Sequence, residues 1–340
     1  MDLLERARGA LTGLAIGDAL GMPTQSMSHA SIVKAYGGPI QDFRDAVDDQ
    51  PIAPSMKAGS VTDDTDQAFI LAHRLIEDGG DLDVMAYAQD LLAWEQRMRA
   101  KGSLDLLGPS TKAALEKLSQ GVSPELTGKY GTTNGGAMRS APVGIAFAPG
   151  EALCAAARRS CIVTHNTTQG IESTTLIAAV VSFGLEGGDL KDNMRKAVSL
   201  VLGLNHFGSW SAKASVVARV KAVLGYLDSA SGKAACCEDD DFAAFLRDIV
   251  GTSVEANESV PAAFAIAYRF ADKPFEALCL AASLGGDTDT MAAMAGAMLG
   301  AAYGPDVFGK EQVQKVEKQN SIDVDGVAAG LIALRNRGEQ

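Results

Sequence analysis

Residues 284–300, LGGDTDTMAAMAGAMLG, limit what this chain can become more than any other stretch. Two glycines lead into Asp287-Thr288-Asp289-Thr290, and Met291, Met294, Ala295, Met298 and Leu299 then recur at the spacing that lines one helical face. The other positions are alanine and glycine, so this helix has no polar side to offer water and belongs in a core. Gly296 costs about 1 kcal/mol against alanine in a helix interior, which close approach of a neighbour would explain. Two carboxylates and two hydroxyls stand at the mouth of the helix. Asp and Thr commonly accept from the free amides there and suit the positive end of the dipole, so this stretch alone reads as capping.

A second copy changes that weighting. Residues 59–76, GSVTDDTDQAFILAHRLI, again run from small residues through acids into a helix, whose apolar face is Ala68, Leu71, Ala72, Leu75 and Ile76. Brought together, Asp63, Asp64, Asp287 and Asp289 supply four carboxylates, with Thr62 and Thr290 as neutral oxygens. Four converging negative charges repel strongly unless cations sit between them. All-oxygen donors suit Mg²⁺, Mn²⁺ or Ca²⁺ rather than zinc, and two divalent ions would balance the four charges.

A chain of 340 residues, 47% hydrophobic and 21% charged, is a soluble globular protein with a large core. Its net charge of −12 argues against nucleic acid or an anionic membrane as partner. The five cysteines show neither disulfide nor zinc spacing, and adjacent Cys236 and Cys237 read as part of a polar surface loop over 228–241. Asp2, Glu5 and Asp18 interrupt what would otherwise resemble a signal peptide, and no run reaches the ~18 apolar residues of a membrane span, so the cytoplasm is expected.

Along the chain, Leu3, Ala7, Ala10, Leu11 and Leu14 suggest an amphipathic first helix that ends between residues 17 and 23. Residues 28–60, with Pro39, Pro51 and Pro54, look irregular. Further helices are expected over 83–99, from Pro109, over 171–185, twice within 191–226, and over 241–249, 258–270 and 273–283, with one or two closing helices in 310–337. Strand alternation is scarce. The fold class expected is all-α, with residues 1–340 as one compact helical domain, since both acidic motifs must reach one site from opposite ends of the chain. Glycine-rich 131–139, GTTNGGAMR, would let backbone amides approach a ligand, although Asn-Gly-Gly is also an ordinary turn. His165, in VTHNTT, precedes a helix and reads alone as a cap or surface residue, while His29, His73 and His206 form no ligand cluster. Asp105, in GSLDLLGPST, is either an acid–base group or a solvated turn residue.

VTDDTD, THNTT and LGGDTDT, in this order, resemble the ADP-ribosylglycohydrolase family, and the likeness runs from Gly9 to about Tyr303. The resemblance implies a compact helical bundle around a central buried helix, with a site for two Mg²⁺ or Mn²⁺ ions held by Thr62, Asp63, Asp64, Asp287, Asp289 and Thr290. It places Asn134, Gly135, Gly136, Met138 and Arg139 along a ribose and phosphate pocket and His165 beside the ribose. GDALGMPTQ corresponds to a family segment that usually ends in glutamate; here the residue is Gln25, which can hydrogen bond but cannot take a proton. Asp18, in the same segment, either orients metal-bound water or caps or pairs.

The expected activity is metal-dependent hydrolysis of a glycosidic bond to ribose, most directly in ADP-ribosyl conjugates, including ADP-ribosylated protein. Asp289 and Asp64 are the expected catalytic carboxylates, with Asp289 also orienting the attacking water. Gln25 motivates an alternative substrate, a small nucleoside-like N-glycoside. A non-catalytic, crystallin-like protein of the same fold is the alternative from another class, and the intact acidic motifs count against it. Phosphate-ester hydrolysis by the same ions is a remoter one.

Overall fold

Residues 1–102, 107–204 and 208–338 are described by the structure, a computed structural model. The N-terminal half contains α1 (Leu3–Gly21), α2 (His29–Tyr36), α3 (Asp63–Glu77), α4 (Val84–Ala100), α5 (Pro109–Ser119), α6 (Pro124–Thr127), α7 (Gly135–Met138), α8 (Ala141–Ala146) and α9 (Glu151–His165). Then come α10 (Thr168–Leu185), α11 (Leu190–Leu202), α12 (Val216–Asp228), α13 (Ala230–Ala235) and α14 (Asp239–Phe245), the last extended by one π turn over Leu246–Val250. The chain closes with α15 (Ala256–Arg269), α16 (Pro274–Ser283), α17 (Thr288–Tyr303), α18 (Lys310–Asn320) and α19 (Val324–Gly338). Among the described residues there is no strand beyond three isolated bridges, and one continuous hydrophobic core runs from Ala7 to Leu334. The all-helical expectation holds.

The centre of that core is the crossing of α1 and α17. Gly9, Gly13, Gly17 and Gly21 recur every fourth residue, so they share one face of α1. Opposite them lie Gly300, Gly296, Ala292 and the backbone of Asp289. A Cβ placed on Gly13 would lie 2.1 Å from the Gly296 carbonyl oxygen, and one on Gly296 would lie 2.0 Å from that of Gly13. Backbone therefore touches backbone, which is why Gly296 stands where alanine would make the better helix. From Thr288 to Ala302 every residue of α17 is buried, and from Met291 to Ala302 the run has no polar residue to offer water. The first helix is not amphipathic as expected: it is buried almost all round from Ala7 to its end, because α3, α16 and α19 cover the faces that α17 leaves.

Two stretches read as irregular contain helices. Within 28–60, α2 is capped by Ser28, whose Oγ accepts from the Ser31 amide, and ends at Gly37 with φ of 76°. Ser28 and Gly37 were legible cap signals, outweighed by the prolines that follow. Within 228–241, α13 is a short helix capped by Ser229, and Cys236 is buried rather than displayed on a surface loop. Arg269 draws this turn inward by donating to the carbonyls of Cys236 and Cys237.

Both acidic motifs open helices that meet the same end of α1. Asp18 fastens the mouth of α3, and Gly21, three residues on, lies against Asp289 at the mouth of α17. No helix among the described residues is long and apolar enough to cross a membrane.

Candidate active site

The acidic residues at the two helix mouths are not caps. On α3, Thr62 is the N-cap and its hydroxyl accepts from the Asp64 amide. The first turn is held by Asp18, fully buried on α1, which accepts from the amides of Thr62 (3.0 Å) and Thr65 (3.1 Å) and from both threonine hydroxyls. The carboxylates of Asp63 and Asp64 are thereby spared that task. On α17, the N-cap Asp287 makes no capping hydrogen bond with its side chain.

Four chain segments are stitched into one wall by backbone hydrogen bonds. Ser26 donates to the Gly286 carbonyl (2.7 Å), and Gly286 donates to that of Met27 (2.9 Å). Asp287 donates to Thr252 (2.8 Å), and Asn134 donates to Val254 (3.0 Å). Gly285 and Gly286 take φ of 89° and 84°, and a Cβ on Gly286 would lie 2.2 Å from the Thr252 carbonyl oxygen. Only glycine meets both requirements. The segment around Thr252 and Val254 carries no motif, and its contribution is made by backbone carbonyls that any residue possesses.

Between these segments lies a cavity of about 300 Å³, whose lining includes Gln25, Asp63, Asp287, Asp289 and Thr290 together with Thr111, Thr133, Asn134, Gly135, Met138 and Val254. Asp64 lies just behind the acidic wall. Burial pushes its carboxyl well above the ordinary carboxylate range, and the charges of Asp289, Asp18, Asp63 and Asp287 push it further. Burial also raises Asp18 to about 6 and raises Asp287, the latter against hydrogen bonds from Asn134 and Thr290. The Asn134 amide donates to Asp287 Oδ2 at 2.5 Å. The Thr62 and Thr290 hydroxyl oxygens lie 3.3 and 3.2 Å from Asp64 Oδ2, whereas Asp64 Oδ1 is buried with no hydrogen-bond partner.

Mutually repelling carboxylates, an orphaned buried carboxylate oxygen and a donor set made only of oxygen fit a hard divalent cation. As the side chains stand, no group of three or more His, Cys, Asp or Glu among the described residues is gathered closely enough to hold one.

The structure brings six further expected site residues to this cavity or against it: Gln25, Asn134, Gly135 and Met138 line it, and Thr62 and Asp18 lie behind. The Gln25 Nε2 is buried without a partner, while the Gln25 backbone carbonyl accepts from Gln50 Nε2 at 2.8 Å. Three others are placed differently from the expectation. Arg139 is buried away from the cavity and donates to Gln67 and Thr164. His165 is fully buried between Thr133 and Thr164. Gly136 packs on Thr174, whose hydroxyl would be 2.4 Å from a Cβ there. The glycines of 131–139 serve helix packing: a Cβ on Gly135 would lie 2.8 Å from the His165 ring, and one on Gly131 would lie 2.1 Å from the Thr164 carbonyl oxygen. Asp105 and His206 lie outside the described residues. Gln67 and Thr133 were missed; Gln67 had a legible signal in its position one turn after Asp63.

A family model described as ADP-ribosylglycohydrolase matches residues 1–340. The uncharacterized protein YegU of Escherichia coli K12 is 30% identical over 98% of both chains. The human ADP-ribosylhydrolase ARH3 is 26% identical, over 94% of this chain and 92% of its own. The ADP-ribosylarginine hydrolase Tri1 of Pseudomonas putida is 27% identical, over 92% of this chain and 74% of its own. A solved structure described as an ADP-ribosylglycohydrolase-related protein complex shares the fold, with a TM-score of 0.71 over 98% of this chain and 99% of that one at 23% identity.

Proposed function

The chain belongs to the ADP-ribosylglycohydrolase family, and from that premise we propose that it hydrolyses the ribosyl bond of an ADP-ribosyl conjugate in the acidic cavity, with Mg²⁺ or Mn²⁺ as cofactor. Asp63, Asp64, Asp287 and Asp289 would hold two ions, with Thr62 and Thr290 as neutral oxygens. The observation that carries this reading is that these carboxylates, standing at two helix mouths, are released from capping and converge on one cavity.

In the reaction a water oxygen bonds to the anomeric carbon as the bond to the acceptor breaks, and positive charge builds on the ribose ring. Divalent ions, when bound, supply Lewis acidity and neutralise the acidic cluster. The protein's part is positional. Asp289, on the cavity wall, orients the water and takes up its proton, and the departing acceptor is protonated from solvent, to which Asp289 returns the proton. Asn134 holds Asp287 by its Oδ2, and Asp18 holds the first turn of α3 so that Asp63 and Asp64 keep their places. Gln25 offers an N–H to the substrate and no proton to the leaving group.

A second reading, a small nucleoside-like N-glycoside as substrate, is favoured by Gln25 and by the cavity wall, whose described lining includes no Lys or Arg to meet a pyrophosphate. A better leaving group needs less protonation. The test is a side-by-side assay with Mg²⁺ of the parent, Gln25→Glu and Asp289→Asn on ADP-ribosyl-arginine and on a small N-riboside. Asp289→Asn should lose about 10²–10⁴-fold on either substrate, and Gln25→Glu should gain on ADP-ribosyl-arginine. Undiminished turnover by Asp289→Asn would remove the assignment of that residue. A parent already fast on ADP-ribosylated protein, and slowed by Gln25→Glu, would sink the second reading. No turnover of either substrate by the parent would sink both.

A further inference from the structure

Behind the cavity lies a buried cation that the reaction scheme does not use. Arg139 is 1% exposed, stacks its guanidinium 5.7 Å from the centre of the Tyr87 ring, and directs both terminal nitrogens at neutral acceptors. We infer that Arg139 is a positioning residue that sets the direction of two hydrogen-bond chains, one ending on Asp63 and the other on Thr133, so that the Thr133 hydroxyl is turned into the cavity as a donor.

A guanidinium has only donors. Arg139 Nη1 donates to Gln67 Oε1 at 2.6 Å, which fixes the carboxamide so that its Nε2 donates to Asp63 Oδ2, also at 2.6 Å. Arg139 Nη2 donates to Thr164 Oγ1 at 2.6 Å, so that hydroxyl must send its own proton elsewhere. Two acceptors are in reach, the Cys161 carbonyl at 3.4 Å and His165 Nδ1 at 2.8 Å, and the shorter, stronger bond goes to the ring. His165 Nδ1 is then a bare lone pair, and the neutral imidazole carries its proton on Nε2. That N–H donates to Thr133 Oγ1 at 2.9 Å. With its oxygen so occupied, Thr133 keeps its proton for a ligand in the cavity it lines.

The surroundings agree with a neutral ring. His165 is fully buried, and burial, with the charge of Arg139, holds it well below the ordinary histidine range. Gly135 packs against the ring, and Gly170 packs against the residue's backbone and Cβ, where an added Cβ would lie 2.7 Å from the His165 Cβ. The direction of the chain is thus set by Arg139 and the ring position by glycine packing.

The test reads the tautomer directly. Long-range proton–nitrogen correlation spectra of the ¹⁵N-labelled full chain, with the His165 signals assigned by their loss in His165→Gln, should show Nε2 protonated and Nδ1 bare, unchanged between about pH 5.5 and 8. In Arg139→Met the Thr164 proton is no longer directed, and the single tautomer should give way to a mixture. A parent ring protonated on Nδ1, or one that is cationic, would overturn the inference whether or not the Arg139 variant folds. Only the kinetic arm rests on the cavity being the catalytic site. There Thr133→Val should lose about tenfold in kcat/KM on ADP-ribosyl-arginine, the scale of one hydrogen bond, and Thr133→Ser should stay near the parent. Serine as impaired as valine would overturn the donor role of Thr133. A parent inactive on that substrate would sink the proposed function and leave the spectrum to decide the network.

Discussion

The Asp18 carboxylate sits fully buried among four donors, two amides and two hydroxyls, all from the first turn of α3. Asparagine in its place would turn an N–H₂ towards donors that need an acceptor. We expect Asp18→Asn to cost about 2–4 kcal/mol, measured by urea unfolding of the metal-free protein. A loss under about 1 kcal/mol would mean that Asp18 does not hold the mouth of α3. The same residue gives a pH dependence of definite sign. Burial raises its folded pKa from the ordinary 3.8 to about 6, so the folded state keeps a proton that the unfolded chain has released. Stability of the metal-free protein should therefore fall as pH rises from about 4 through 6, by roughly 3 kcal/mol from this group, and Asp64 and Asp287 act in the same direction. His165, held well below the ordinary histidine range by burial and by Arg139, acts in the opposite direction over the same span. The check is therefore a comparison with Asp18→Asn: a variant whose stability varies with pH between about 4 and 6 as steeply as the parent's would contradict the assignment.

Between α1 and α17 the physical question is which of two opposed effects wins. Alanine is the better helix former by about 1 kcal/mol at each glycine, so on an open helix face Gly13→Ala or Gly296→Ala would stabilise. Here the added methyl would meet a carbonyl oxygen at 2.1 or 2.0 Å, and neither backbone has a rotamer through which to yield. Overpacking of ordinary cores costs about 1–3 kcal/mol, and a clash with backbone should reach or exceed the top of that range. Both variants should unfold at lower denaturant than the parent. Gly21→Ala should in addition disturb the site, because its Cβ would press at 2.3 Å on the Asp289 Cα. Stabilisation by any of the three would mean the helices are further apart than described.

For the molecule as a whole, part of the net charge of −12 is concentrated in one buried cluster, and that concentration opposes folding until it is neutralised. Cations that bind only the native state add stability by mass action, about 2.7 kcal/mol at a hundredfold excess over Kd. Mg²⁺ or Mn²⁺ should raise the thermal midpoint, and by more at pH 7.5 than at pH 5, since Asp64 and Asp287 must release protons before they can bind a metal. Asp63→Asn and Asp287→Asn should weaken the response. Calorimetry that finds equal affinity and stoichiometry in the parent and both variants would exclude these residues as ligands.

Local periodicity was enough for part of this fold. An apolar repeat with no polar face can only be a buried helix, so the burial of α17 was legible, as were the all-helical class and the two acidic helix mouths. Helix α2 was also legible, in Ser28 and Gly37, but was masked by the neighbouring prolines. Tertiary structure decided the rest, because a side chain's partner is a non-local choice. Whether Asp63 caps or faces a cavity depended on Asp18, distant in sequence, taking over the first turn of α3, and Asp287 is held by Asn134, equally distant. Arg139 and His165 sit in motifs that suggest ligand contact, yet Gln67 of α3 and Thr164 of α9 offer buried acceptors to Arg139, and Thr164 and Thr133 hold the His165 ring inside. The contribution of Thr252 and Val254 left no trace in residue type, since a backbone carbonyl is common to every residue and only the fold brings it to Asp287 and Asn134.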